Sequence, residues 1–369
     1  MSQPSKIKIC LVGDALSAGG AERVHAFLSN YFASKNIEVH NVVVQNKISY
    51  DFSGELLNLG LLKDATNGFN NKLKRFLVLR SYIKKHKFDF VIDFRMRKKK
   101  IQDVFISRFI HTAPTIYTVH SYLIDWYMPK EPWLTRFIYN KAYGVVALTL
   151  KMKEHIERLH GLKNVVTIHN PVSLDYIAKR VNENNLDIDS AYILAAGRMG
   201  DDNIKQFDKL IEAYANSVLP QNNVKLVILG DGIHKSILED YSDRLGLKEL
   251  VVFKGFLENP YIYMHKALFY VLSSKNEGLP MVMLESLACG TPVVSFDCFT
   301  GPSEIISDKI NGLLIEDQNI EKLTEGINLM FTDKKLYVTC KQNAVASIEK
   351  FSLENIGNQW MNYLKIDID

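Results

Sequence analysis

Two glutamates set eight residues apart, Glu277 and Glu285, lie in SSKNEGLPMVMLESLACGTPVVSFDCFTGPSEII, residues 273–306. Glu277 falls in a loop after an apolar run. Gly278 and Pro280 then shape the start of a helix, where proline suits a first-turn position. Backbone N–H groups near Leu279 and Met281 have no partner inside such a helix. One loop thus offers two carboxylates beside a helix N-terminus. Carboxylates accept from sugar hydroxyls and the helix end takes phosphate, so the pattern matches a sugar nucleotide. Each hydrogen bond to a charged carboxylate contributes about 1.5–3 kcal/mol. Glu285 on a solvated helix face is the plainer alternative, and its neighbours Leu284, Leu287 and Ala288 speak against it.

Two further loops carry suitable groups. Arg198 ends the apolar run YILAAG, and Lys205 starts the helical pattern that follows. An arginine fork with a compact ammonium suits a diphosphate, although an isolated pair of this kind is more often a solvated one. Earlier in the chain, DALSAGGAER follows the run that ends at Gly13, with Gly19 and Gly20 at the start of a helix. Glycines there let backbone N–H groups approach a phosphate; taken alone they make a tight turn. The loop is neither GxGxxG nor GxxxxGK[ST], which removes the main support for nicotinamide-cofactor and P-loop readings.

The elements that must hold these loops repeat. Strand-length apolar runs are expected at Ile7–Gly13, Glu38–Val44, Phe88–Phe94, Thr115–Val119, Gly144–Leu148 and Val165–His169. They recur at Tyr192–Ala196, Val224–Leu229, Leu250–Phe253, Phe269–Leu272, Pro292–Phe296 and Gly312–Ile315. Helical periodicity fills the gaps, as in Ala21–Ser34, Lys72–Lys85, Lys205–Asn216, Lys235–Leu245, Pro280–Ala288 and Ile320–Phe331. Continuous β-branched strands alternating with helices predict parallel sheets covered on both faces. The polar stretch Lys179–Ser190 reads as a linker. The expectation is an α/β chain of two Rossmann-like domains facing a central cleft, with ligands outside the carboxyl ends of the strands.

The chain has 369 residues, which suits about two domains. Its net charge of +4 hides an asymmetry. Residues 1–172 hold 26 Lys/Arg and 13 Asp/Glu, whereas residues 173–369 hold 19 and 28. A basic half facing an anionic surface or ligand is the natural inference. No apolar run reaches the ~20 residues of a membrane span, and none suits a signal-peptide core. Cys10, Cys289, Cys298 and Cys340 are widely spaced and form no CxxC pair. They read as buried small hydrophobes. The ten histidines make no HExxH.

The 273–306 segment resembles the Glu-x7-Glu signature of the retaining glycosyltransferases of family 4, which have the GT-B fold. The likeness spans nearly the whole chain. Gly19-Gly20-Ala21-Glu22-Arg23 resembles the family's N-terminal glycine loop, and His169-Asn170-Pro171 its interdomain element. Gly197-Arg198 with Lys205 resembles the diphosphate-binding pair, while Gly230-Asp231-Gly232 and Gly255-Phe256 resemble later strand ends. Phe351–Leu364, with Trp360, resembles the closing helix that returns to the first domain.

The resemblance implies roles. Arg198 and Lys205 hold the donor diphosphate, and Glu285 holds the ribose hydroxyls. Glu277 approaches the transferred sugar, with Gly278, Leu279 and Pro280 contacting sugar and phosphate. Phe256 and Leu257 lie beside the base, and the glycine loop at Gly19 and Gly20 belongs to the binding site. His120, after TIYTV, is the cleft histidine near sugar and acceptor; a histidine there is equally a hydrogen-bonded structural one. Residues 1–172 form the acceptor domain, with 351–369 packing back on it, and 173–350 form the donor domain. The chain departs from the family in one place: Arg198 and Lys205 are seven apart rather than five. Asp187-Ile188-Asp189 sits in the linker, so no metal and no cofactor are expected. FTGPSEII, residues 299–306, resembles members that use UDP-linked hexoses or N-acetylhexosamines, which makes a UDP-sugar the expected co-substrate.

The basic excess concentrates in residues 72–100, with 12 Lys/Arg against Asp89 and Asp93. Leu73, Phe76, Leu77, Arg80, Ile83 and Lys84 lie at roughly helical spacing. A basic amphipathic helix can rest on anionic lipid or hold the diphosphate of a polyprenol-linked acceptor; a solvated helix packed on its sheet is the plainer reading. No nucleic-acid motif is present. The expected protein is therefore a glycosyltransferase on the inner face of the plasma membrane, acting on a lipid-linked or oligosaccharide acceptor in bacterial surface-glycan synthesis. A soluble enzyme on a free acceptor, a sugar-nucleotide epimerase and a non-catalytic sugar-nucleotide-binding subunit are the alternatives.

Overall fold

In the first strand, Ile9 and Leu11 join one apolar cluster while Cys10 and Val12 join another. Period-2 alternation thus buries both faces, as a parallel sheet requires. The computed structural model describes residues 6–17, 19–66, 68–183 and 186–367. Chain contacts divide it into two units: residues through Pro171 together with those from Leu353 onward, and Val172–Ser352.

The first unit holds β1 (Lys8–Gly13), β2 (Glu38–Val43), β3 (Glu55–Asn58), β4 (Phe90–Asp93), β5 (Thr115–Val119), β6 (Gly144–Ala147) and β7 (Val165–Thr167). All pair in parallel, in the order β3-β2-β1-β4-β5-β6-β7. On one face, the helix Gly20–Ser34 and the final helix Leu353–Leu364 share a cluster that includes Val24, Leu28, Phe32, Ile356 and Trp360. Tyr31 Oη donates to Asn358 Oδ1 at 2.6 Å. A Cβ at Gly357 would lie 2.3 Å from the Tyr31 ring, so only glycine allows this crossing. The helix Phe69–His86 covers the other face through Leu79 and Ile83.

The second unit holds β8 (Tyr192–Ala196), β9 (Lys225–Leu229), β10 (Val251–Gly255), β11 (Tyr270–Leu272), β12 (Val293–Phe296) and β13 (Gly312–Ile315). They are again parallel, in the order β10-β9-β8-β11-β12-β13. Strand order reverses direction between β1 and β4 in one sheet and between β8 and β11 in the other. Those two crevices are where a doubly wound sheet binds ligands.

Three expectations need correction. β3 was not anticipated: its sequence ELLN is short and its first two residues are exposed, because an edge strand needs only one partner. The stretch at 179–190 is not all linker, since Lys179 and Arg180 end the helix Leu174–Arg180; Asn184 and Asn185 lie outside the described residues. Lys205 does not start a helix. Gln206 has a left-handed φ of 48°, which a helix interior cannot accept, and the helix runs Phe207–Ala215.

Candidate active site

In the second unit the expected donor residues lie on loops at the carboxyl ends of strands, except Glu285, which lies in the helix Met281–Ala288 that follows one of them. Lys205 follows β8 and Glu277 follows β11, the two strands flanking the crevice. Lys205 Nζ stands 2.6 Å from Glu277 Oε1, and the two side chains are only 21% and 11% exposed. The loops are also tied through backbone. Lys275 N–H donates to the Ile204 carbonyl and Ser273 Oγ to the Lys205 carbonyl, each at 2.8 Å. Gly197 makes room for this pair, because a Cβ there would sit 2.9 Å from Lys205 Cγ and Cε. The long Arg198-to-Lys205 loop turns through Asn203 (φ 42°) and Gln206, which returns Lys205 to the crevice despite its spacing.

Arg198 is not drawn inward. Its side chain is 71% exposed and pairs with Asp202 at 2.8 Å. Gly230 (φ 121°) and Gly232 (φ 154°) pass so close to the loop that a Cβ would fall 1.9 Å from the Gly197 carbonyl oxygen and 2.2 Å from that of Met199. Both the positive φ and the contact demand glycine. A bulge between Phe253 and Gly255 ends β10, and the chain then leaves Phe256 exposed and Leu257 half-buried.

The Glu277 loop leads into the helix Met281–Ala288, preceded by Pro280. Its first intrahelical bond runs from Met283 N–H to the Pro280 carbonyl at 3.0 Å. The N–H groups of Met281 and Val282 precede that bond, so the helix presents its positive end there. Leu279 is buried beneath. Thr300 Oγ donates to the Glu277 and Gly278 carbonyls. Gly301 (φ 99°) presses so near that a Cβ would lie 2.6 Å from Pro280 Cδ. FTGPSEII therefore supports the Glu277 loop. Glu285 is 6% exposed within the helix, with the Tyr261 hydroxyl 3.5 Å from Oε1. The sequence did not single out Tyr261 or Thr300; Thr300 lay inside the segment already noted, and Tyr261 carried no local signal.

In the first unit, Gly19 and Gly20 do open the helix Gly20–Ser34, but that end is not vacant. A Cβ on Gly19 would sit 2.0 Å from Glu22 Oε2. The Glu22 carboxylate thus folds over the helix start, with its pKa raised by burial and lowered in part by its own N–H. An anion arriving there must displace it. His120 ends the loop-ward side of β5, with Nε2 2.8 Å from Thr118 Oγ1 and its ring near Phe94 and Tyr127. Burial, aided by Arg97, pushes its pKa down to about 3. It is a neutral imidazole, able to hydrogen-bond but not to serve as an acid near neutrality.

Across the β1/β4 crevice, Met96 N–H donates to Asp14 Oδ2 at 3.0 Å. A cavity of about 490 Å³ opens beside it, lined by Asp14, Lys47, Lys63, Lys72, Arg75 and Arg95 among others. Lys47, Lys63, Lys72 and Arg75 add four cations to its lining beyond Arg95, whose charge is matched by Asp93, and this excess suits an anionic ligand. The basic stretch 72–100 is not one uniform surface, however. Arg95 and Arg97 are each 5% exposed. Arg95 forks onto Asp93 through Nε at 3.0 Å and Nη2 at 2.6 Å. Arg97 donates to the Thr118, Arg95 and Tyr127 carbonyls and lies over the Tyr117, Tyr127 and Tyr139 rings. Residue type pointed to solvent; a buried carboxylate and an aromatic box decided otherwise. The outer face of the helix Phe69–His86 does keep Lys74, Lys84 and Lys85 exposed beside Phe69 and Leu77. Among the described residues, no helix is long and apolar enough to cross a membrane.

Comparison with known proteins is consistent along the chain. Residues 18–176 match the family model Glycosyltransferase Family 4, and residues 177–346 match Glycosyl transferases group 1. The chain is 29% identical over 364 residues to a Campylobacter jejuni protein named N-acetylgalactosamine-N,N'-diacetylbacillosaminyl-diphospho-undecaprenol 4-alpha-N-acetylgalactosaminyltransferase, covering 95% of this chain and 97% of that one. It is 26% identical, over 97% and 98%, to a second C. jejuni transferase, named for GalNAc addition to a diphospho-undecaprenol-linked glycan. In fold, it is similar to Anabaena HepE crystallised with UDP-glucose (TM-score 0.78, 19% identity, 97% and 99% covered). It is also similar to TarM (TM-score 0.77, 18% identity, 99% and 100% covered).

Proposed function

The chain belongs to the glycosyltransferases built from a Family 4 domain followed by a group 1 domain, and from that premise we propose that it transfers a hexose or N-acetylhexosamine from a UDP-sugar, with retention, to a polyprenyl-diphosphate-linked glycan. The observation that carries this reading is the β8/β11 crevice, where Lys205, Glu277 and the positive end of the helix Met281–Ala288 converge. Glu285 takes the ribose hydroxyls and Phe256 and Leu257 flank the base. Lys205 and the Leu279–Met281 backbone take the diphosphate, and Arg198 joins them by leaving Asp202. Glu277 orients the sugar through its hydroxyls once the diphosphate competes for Lys205.

In the transfer, the bond from the anomeric carbon to the β-phosphate oxygen breaks. The acceptor oxygen forms its bond on the same face and passes its proton to the departing phosphate oxygen. Negative charge grows on the diphosphate, and the held Lys205 with the incoming Arg198 stabilises it. His120 stays neutral and hydrogen-bonds a hydroxyl. The role often given to a metal ion falls to Arg198 and Lys205.

The relatives named for diphospho-undecaprenol substrates support the lipid-linked acceptor, and the basic cavity of the first domain supports an anionic group on it. Such a substrate brings the enzyme to the inner face of the plasma membrane, where exposed lysines of the helix Phe69–His86 meet anionic headgroups. The test is product analysis. UDP-sugars incubated with a polyprenyl-diphosphate disaccharide should yield an extended lipid-linked product whose new linkage keeps the donor's anomeric configuration by NMR. An inverted anomer would reject retention, and sugar interconversion without acceptor would mark an epimerase instead.

A further inference from the structure

On β2, Glu38 and His40 are two residues apart and so share one face of the sheet. His86, in the last turn of the helix Phe69–His86, reaches the same spot. One ligand atom from each of Glu38, His40 and His86 lies within 4.8 Å of the others. We propose that these three side chains form a binding site for a divalent transition metal of the zinc type, at the amino-terminal edge of the first sheet. Glu38 and the cavity-lining loop after β2 are separated by about 20 Å at ~3.3 Å per strand residue, so this site is distinct from the crevice.

Three features support it beyond the cluster itself. Glu38 Oε1 and His40 Nε2 already face each other in a 2.9 Å hydrogen bond, and a metal replacing the shared proton has only to open that separation to the roughly 3.3 Å edge of a tetrahedron with metal bonds of ~2.0–2.1 Å. The other His40 nitrogen, Nδ1, is already held, 2.6 Å from the Tyr82 hydroxyl and 3.4 Å from Glu55 Oε2. That arrangement, in which the second imidazole nitrogen faces a fixed oxygen, is the outer support typical of metal-bound histidine. It is also built in by register: Glu55 pairs directly with His40 across β2 and β3, and Tyr82 stands one helical turn before His86. Finally, His40 is 1% exposed, which orients it without cost on binding. A metal there displaces Lys8, whose Nζ is 2.8 Å from the same Glu38 oxygen and whose side chain is 34% exposed, and it sits near Lys85, the neighbour of His86.

Two histidines and a carboxylate leave a fourth position for water. A metal held there ties the end of the helix Phe69–His86 to β2, and the same helix supplies Lys72 and Arg75 to the basic cavity. The experiment uses full-length protein stripped by chelator and titrated with Zn²⁺ by calorimetry and with Co²⁺ by visible absorption. One equivalent should bind, with a tetrahedral Co²⁺ band and a raised thermal midpoint. Glu38→Gln and His86→Asn, both at half-buried positions, should each weaken binding at least tenfold. Tyr82→Phe should weaken it less, and His155→Ala should leave it unchanged. Absence of saturable binding by the wild type, or equal binding by Glu38→Gln and His86→Asn, overturns the proposal.

Discussion

Lys205 and Glu277, 72 residues apart in the chain, are joined by a 2.6 Å contact that spans the point where the second sheet reverses its strand order. The pair places a cation and a carboxylate side by side at the mouth of the crevice, each largely shielded from water.

Lys205→Ala should therefore lower kcat by about 10²–10³, the range seen when one fixed donor to a developing anion is removed, with a smaller change in donor affinity. Glu277→Ala should also reduce turnover, and the double variant should be less than additive because each single change leaves the other charge unpaired. Gly197→Ala tests the packing behind the pair: its Cβ displaces Lys205, so kcat should fall while thermal stability changes little. Steady-state kinetics beside a melting curve separates these outcomes.

Glu285→Gln should act on binding. It keeps the shape of a buried side chain but removes the charge that strengthens hydrogen bonds to ribose. The loss should be about 1.5–3 kcal/mol, read as a ten- to hundredfold rise in UDP dissociation constant by calorimetry. Tyr261→Phe should produce a weaker effect of the same sign.

The Asp93–Arg95 pair is a stability element. Burial raises the Asp93 pKa, but Arg95 and Arg97 outweigh it and hold the carboxylate well below its usual range. A folded pKa below the unfolded one contributes stability above about pH 4 that is lost as pH falls further. Asp93→Asn leaves Arg95 charged and buried, so unfolding free energy at pH 7 should drop by roughly 3–5 kcal/mol, measured by denaturant titration.

Asp103 works in the opposite sense. Burial raises its pKa to about 7, against the lowering influence of Arg97 and Arg95. The unfolded carboxyl ionises near pH 4 while the folded one keeps its proton to about 7, so this group makes the fold less stable as pH rises between those values. Asp103→Asn should remove that slope and leave the variant more stable than wild type at pH 8. Melting temperatures from pH 5 to 8 decide the matter.

Membrane attachment should depend on the exposed face of the helix Phe69–His86. Lys74→Glu with Lys85→Glu should reduce co-sedimentation with anionic vesicles, by roughly 1 kcal/mol for each basic residue lost near the surface. Leu77→Asp should reduce it further. Neutral vesicles should show little binding by either protein.

Much of this was legible in the chain, and the limits have physical causes. Twelve of the thirteen strands among the described residues were visible because strands buried on both faces need uninterrupted apolar residues. The exception, β3, touches one neighbour and carries ELLN, a pattern too brief and too exposed to stand out. The donor loop was legible because its residues are local: Glu277, Pro280 and Glu285 sit within one loop and one helix. The same locality failed at Arg95 and Arg97, where charge suggested a surface and Asp93 with three tyrosines supplied an interior.

What the sequence by itself determined is the α/β repeat, its two halves and the residue types at the strand ends, since hydrophobic period and turn chemistry are properties of neighbouring residues. Which of those residues meet was decided only by tertiary structure. Lys205 reaches Glu277, and His86 reaches Glu38 and His40, because parallel pairing and helix packing bring distant segments together. Those contacts depend on strand order, which joins segments that are far apart in the chain.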